Sequence, residues 1–207
     1  MRFSGIVLVA LTSCVACVDP SADFAAFEGR THVTPIVDAS SDAPGCTVPP
    51  DSINAKYLLA ISVTLAAGTP ILVLANVTTP ELGSGTGLSL DAQPLAAADR
   101  KTPVGDAIEA GPFPVSAEGS FTADLVGLRV TGAANPVTGG DILADVSLNG
   151  NLCGDPRSFC GTVTGYVKEP LPLDLAGSTF TLTRVEPSED PPLRPPIDCA
   201  GTLADPL

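Results

Sequence analysis

Few side chains in this chain of 207 residues are of a type that does chemistry. Its single histidine is His32. A Ser-His-Asp or Cys-His device needs that imidazole inside a folded domain, hydrogen-bonded to its nucleophile. His32 falls instead in residues 18–52, a stretch with no sustained apolar period. Two carboxylate pairs, Asp141/Asp145 and Asp106/Glu109, have a spacing compatible with acid–base work. Carboxylates on the polar face of a strand are ordinarily just solvated, and that is how these read. The run "GSGTG" at residues 83–87 is glycine-rich, but no Lys-Ser/Thr follows it and no helix begins there, so it reads as a loop and not a phosphate cradle. "NVT" at residues 76–78 matches a glycosylation acceptor. The chain is therefore expected to be no enzyme, with no catalytic residue, no metal site and no cofactor.

The elements around these residues read as strands. In "KYLLAISVTLAAGTPILVLANVTTP" Tyr57, Leu59, Ile61, Val63 and Leu65 recur at period two, with Leu58, Ala60, Ser62 and Thr64 between them, which predicts a half-buried strand. Ala67-Gly68 is a turn, and a second run follows from Pro70 to Thr78. "GLSLDAQPL" alternates through Leu88 and Leu90. "FPVSAEGSFTADLVGLRV" reads as a hairpin, with Phe113, Val115 and Ala117 on one arm, Phe121, Ala123 and Leu125 on the other, and Glu118-Gly119 near the tip. "DILADVSLNG" puts Ile142, Ala144, Val146 and Leu148 on one face. "SFCGTVTGYVKE" and "GSTFTLTRVE" close the series. Only "LAAADRK", residues 95–101, has the alanine content of a short helix. About eight strands with short turns predict an all-β domain over residues 53–186, either an antiparallel meander curled into a barrel or a β-sandwich. The barrel is favoured, because no long crossover of the Greek-key kind is evident and closure removes exposed edges. Residues 187–207 are Pro-rich and read as an extended tail.

The chain begins differently. Arg2 precedes a short apolar run, Gly5 to Leu11, which is too short to cross a bilayer core of roughly 20 residues. A positive start, a short apolar core and small residues beyond it describe a secretory signal. "LTSC", Leu11 to Cys14, resembles the lipobox of bacterial lipoproteins: an aliphatic residue, two small residues, then cysteine. The resemblance covers only the first 14 to 17 residues. It implies that residues 1–13 are a signal peptide, that the Cys14 thiol receives a diacylglycerol, and that cleavage before Cys14 exposes an N-terminus that is then acylated. Cys17, in "CVAC", is the alternative; it has Cys14 where the aliphatic residue belongs, though cleavage there leaves an even number of other cysteines. The resemblance further implies a bacterial cell-envelope location, lipid-anchored at the outer membrane, and makes the glycosylation match accidental. Residues 14–52, with Asp19, Asp23, Glu28, Asp38 and Asp42 among prolines, serines and alanines, cannot bury enough surface to offset the entropy of ordering and read as a tether.

Export implies an oxidising compartment, where disulfides persist. Cys153 and Cys160 flank a loop between two predicted strands, so they are expected to pair. Cys46 precedes the first strand and Cys199 follows the last, and those two are expected to pair as well. C-x6-C is a poor zinc spacing, and no CxxC pair occurs in the body of the chain.

Composition limits the partners. There are 23 acidic and 10 basic residues, a formal net charge of −13, which disfavours nucleic acid and anionic membrane surfaces. Aromatic residues make up only 4 % and tryptophan is absent, so the core is built from Val, Leu, Ile and Ala. A barrel of this kind is similar in architecture to lipocalin-like binders, but their Gly-x-Trp signature is missing. Two functions remain: a lipid-anchored envelope protein displaying a β domain in a structural or interaction role with an envelope partner, or a carrier holding a small apolar ligand inside the barrel.

Overall fold

The computed structural model describes residues 53–79, 87–116 and 118–207. Cys14, Cys17, His32 and Cys46 lie outside the described residues, as do the signal peptide, the tether and most of the "GSGTG" run. The described part is nearly all β. Its strands are β1 (Ala55–Ser62), β2 (Ile71–Thr78), β3 (Leu88–Pro94), β4 (Ile108–Phe113), β5 (Ser120–Val130), β6 (Ile142–Asn151), β7 (Ser158–Glu169), β8 (Leu173–Asp174) and β9 (Ser178–Arg184).

All of them join one antiparallel sheet in the order β4-β3-β2-β1-β9-β7-β6-β5, with the two-residue β8 added to β7. Consecutive strands are neighbours from β1 to β4 and from β5 to β8, while β9 returns to lie between β7 and β1. The first and last long strands are therefore zipped together, with Leu59 opposite Leu182 and Ile61 opposite Phe180. The expected meander holds, and the sheet curls until it is nearly a closed barrel. The gap falls between β4 and β5. The predicted hairpin is present there, but its arms meet in a single bridge, Val115 to Phe121, and then part.

Period two places Tyr57, Leu59 and Ile61 of β1 inside, beside Val73, Ala75 and Val77 of β2 and Phe180 and Leu182 of β9. The outward residues of β1 are buried too. Leu58 and Ala60 pack with Leu72, Leu95 and Val185 in a second, smaller cluster on the outside of the sheet. This is why the sequence between residues 57 and 61 is apolar at both parities. Two expectations are corrected here. The first strand does not run on to Leu65: it ends at Ser62, and Thr64–Ala66 form a single 3-10 turn. Residues 95–101 form no helix but a tight turn, in which the Arg100 N–H donates to the Ala96 carbonyl and Arg100 itself has φ +58°. Asp99 closes that turn by accepting from the Lys101 and Thr102 N–H groups at 3.0 and 2.9 Å. A side-chain cap of this kind competes with helix, and the alanines beside it do not outweigh it.

The Pro-rich C-terminal segment is irregular but packed. Thr179 and Thr181, on the outer face of β9, donate from their hydroxyls to the carbonyls of Ile197 and Pro196 at 2.7 and 2.6 Å. The buried Arg100 guanidinium donates to the carbonyls of Leu193 and Asp205 at 2.6 and 2.8 Å. The segment is a strap across the outside of the sheet.

A disulfide fastens the strap, and it overturns both expected pairings. Cys160 is bonded to Cys199, with a Cα–Cα distance of 5.3 Å, so neither Cys153–Cys160 nor Cys46–Cys199 forms. Strand parity explains it. Phe159 and Val163 of β7 point inward, so Cys160 points outward, towards the strap. It also lies opposite Thr181, whose hydroxyl already holds that strap. Cys153 sits beyond the end of β6, in the connection to β7, and is not cross-strand from Cys160. It is itself disulfide-bonded.

Candidate ligand-binding cavity

The barrel interior has two unlike halves. One half, beneath the β4–β5 and β6–β7 turns, is filled with rings. Tyr57 and Phe159 pack with centroids 5.6 Å apart, and Phe121 and Phe180 meet edge to face at 6.3 Å. Glycines make room for them: a Cβ at Gly150 would lie 2.8 Å from the Phe121 ring and 2.9 Å from that of Phe180, and one at Gly161 would lie 2.7 Å from Phe180. The Tyr57 hydroxyl reaches the end of the barrel and donates to the Pro156 carbonyl at 2.8 Å. Burial raises the pKa of that hydroxyl.

The other half has no ring in it. It is walled by Leu59 and Ile61 of β1, Val73 of β2, Ala92 of β3 and Ala144 and Val146 of β6, and it encloses a cavity of about 110 Å³. Interiors are normally packed with few voids larger than a water molecule. The space is lined by branched aliphatic chains together with the short side chains of Ala92 and Ala144. The cavity offers almost nothing polar. Asn135 and Thr138 border it, but the Asn135 amide donates to Thr138 Oγ1 at 2.7 Å and to the Gly140 carbonyl at 2.8 Å, and its oxygen accepts from the Val137 N–H at 3.0 Å. These groups shape the β5–β6 connection and are spent on it. At the mouth stand Leu65 and Leu171, 64 % and 63 % exposed although both border the cavity.

A groove of about 650 Å³ follows the seam between Asp106–Phe113 and Asp124–Arg129. Ile108, Ala110, Leu125 and Leu128 border both this groove and the cavity, so these side chains are all that stands between the two spaces. The two strands that flank the seam each carry an irregularity. In β5 the register with β6 steps from Leu125–Val146 to Leu128–Ala144, so Val126 and Gly127 together face Asp145 as a bulge. Gly127 has φ +69° there, which suits glycine, and Val126 is turned outward. In β4, Pro112 has no N–H to contribute to a ladder.

The carboxylates noted in the sequence are placed by the same elements. Asp145 Oδ1 accepts from the Gly127 N–H at 2.8 Å, and its other oxygen meets Lys168 Nζ at 2.7 Å. The hydrogen bond from Lys168, then that from Gly127, lowers its pKa. Asp141 accepts from the Gly132 N–H at 2.7 Å and fixes the β5–β6 connection. Asp106 and Glu109 lie along the seam groove. Among the described residues no three His, Cys, Asp or Glu side chains come together as they would to hold a metal ion. Sequence reasoning anticipated an interior of small aliphatic residues. It missed the seam, whose signals were Gly127 and Pro112 within otherwise alternating strands.

Comparison with protein-family models, curated proteins and solved structures finds no match to this chain.

Proposed function

We propose that this protein is an exported, lipid-anchored envelope protein whose barrel carries a small apolar ligand. The observation that supports the carrier role is the cavity of about 110 Å³ with a wall of aliphatic side chains and polar neighbours already engaged with one another. An apolar cavity of about 150 Å³ is known to stay dry and to accept a molecule such as benzene, and each methylene moved from water into such a site contributes about 0.8 kcal/mol. Among the described residues that line the cavity none carries a titratable group, so the role that fits is holding, not conversion. The anchor rests on the lipobox-like "LTSC" and on the acidic stretch that follows it.

Native mass spectrometry of the full chain after mild extraction tests the carrier role, together with uptake of an uncharged apolar fluorophore. A reproducible added mass, or fluorophore uptake, that is lost in Ala144→Phe supports it. An empty wild-type protein that also takes up no fluorophore overturns it and leaves the β domain a role in display or interaction. Membrane fractionation of Cys14→Ser and Cys17→Ser tests the anchor: one of the two should release the protein, and retention of both would refute lipidation.

A further inference from the structure

We infer that the β4–β5 seam is part of the binding site, and that the ligand is a single-chain amphiphile whose alkyl chain fills the cavity while its uncharged polar end lies in the seam groove. This rests on the carrier reading above and adds the ligand class and its orientation.

The cavity is small. At about 110 Å³ it is of the order of the roughly 150 Å³ that accepts one benzene, so a chain of more than a few carbons must emerge. Such a chain has two directions in which to leave. The mouth is rimmed by the exposed side chains of Leu65 and Leu171, which offer a polar group nothing. The seam offers strand edges. β4 pairs only with β3 and β5 only with β6, and the edge of a sheet presents N–H and C=O groups that a polar ligand can satisfy. The four residues common to both spaces, Ile108, Ala110, Leu125 and Leu128, form an apolar threshold between them. An apolar chain crossing that threshold stays in apolar surroundings until it reaches the groove. The bulge at Val126–Gly127 and Pro112 prevent the two edges from zipping shut and abolishing the passage. Charge narrows the choice of polar end. Asp106, Glu109 and Asp124 border the groove against Arg129, so an anionic end is repelled; the open edges present both N–H and C=O groups, which a hydroxyl or amide can match in both senses whereas an ammonium can only donate.

The test uses the full-length protein and a straight alkyl chain bearing an uncharged nitroxide at one end. Paramagnetic broadening of amide signals locates the nitroxide. Broadening centred on Glu109, Gly111 and Gly127 is expected. Attaching a bulky thiol reagent at Glu109→Cys, a position outside the cavity wall, should slow uptake of the chain at least tenfold, whereas the same reagent at Leu65→Cys should not. Broadening centred on Leu65, Gly68 and Leu171 instead, or uptake with no broadening at the seam, overturns the proposed orientation while leaving the carrier role intact. If neither this chain nor the uncharged fluorophore enters the wild-type protein, the carrier role itself fails, and this proposal with it.

Discussion

The Gly127 N–H donates to Asp145 Oδ1 at 2.8 Å, across the step where two residues of β5 face one of β6. A bulge turns an amide away from the regular ladder, and a side-chain acceptor on the neighbouring strand gives that amide a partner. The same carboxylate is held from the other side by Lys168. The irregularity in β5 is thus secured by two strands that do not themselves border the seam.

Among the described residues, Asp145 is one of three carboxylates held below their ordinary pKa by hydrogen bonds. Asp99 is lowered to about 2, mainly by the Thr102 side chain and then by backbone N–H groups. Asp198 is lowered in the same way, chiefly by Thr202. A carboxylate lowered on folding stabilises the native state above its unfolded pKa of about 3.9 and loses that contribution as pH falls through its folded value. Chemical-denaturation midpoints should therefore be level from neutral pH to about pH 5 and fall from about pH 4 to pH 2. Asp99→Asn should flatten part of that fall; an unchanged profile would show that the turn does not depend on the ionised group.

Tyr57 carries the opposite dependence. Burial raises the pKa of its hydroxyl, so its contribution is complete below the unfolded value of about 10 and is lost as pH rises towards the folded value. Ultraviolet titration of a Tyr166→Phe variant, in which Tyr57 is the remaining tyrosine of the two, should show ionisation above pH 10. Tyr57→Phe removes the bond to the Pro156 carbonyl and should cost about 0.5–1.5 kcal/mol in denaturant melts.

The strap should release on reduction. Cys160 and Cys199 are 39 residues apart in sequence, a loop whose closure is worth about 4 kcal/mol on the chain-entropy model. The double variant Cys160→Ser/Cys199→Ser should lose up to that amount and gain protease cleavage in residues 187–207. Equal stability and unchanged cleavage would mean that the hydrogen bonds from Thr179, Thr181 and Arg100 hold the segment unaided.

Gly161→Ala should damage the ring-filled half. The added methyl meets the Asn149 carbonyl oxygen and lies 2.7 Å from the Phe180 ring. Overpacking of this kind costs about 1–3 kcal/mol, visible as a lower Tm. Fluorophore uptake at temperatures below the transition should persist, since the cavity lies in the other half. Loss of uptake with an unchanged Tm would show that the two halves are not separate.

Much of the fold was legible because strand periodicity is a local property. Tyr57, Leu59 and Ile61 announced β1, and Ile142 to Leu148 announced β6, through alternation alone. The short connections pointed to a meander, which is what the strand order shows. What escaped was non-local. Whether Leu58 and Ala60 face water depends on Leu95 and Val185, which arrive from distant sequence to cover them. The cysteine pairing depends on the direction in which Cys160 points, which its nearness in sequence to Cys153 does not reveal. The aliphatic interior was foreseeable from composition. Its division into a ring-filled half and an open half was not, because the rings of Tyr57, Phe121, Phe159 and Phe180 converge from four different strands.

The unzipped seam bears on how copies of this molecule behave when they crowd together. Two facing sheet edges on one molecule are the usual starting point for fibres, since each can recruit a strand from a neighbour and pass the pairing on. Pro112 interrupts one edge and the kink at Gly127 bends the other, so an incoming strand finds no straight run to copy. The irregularities at the seam thus also give a neighbouring molecule a poor template on which to extend a shared sheet.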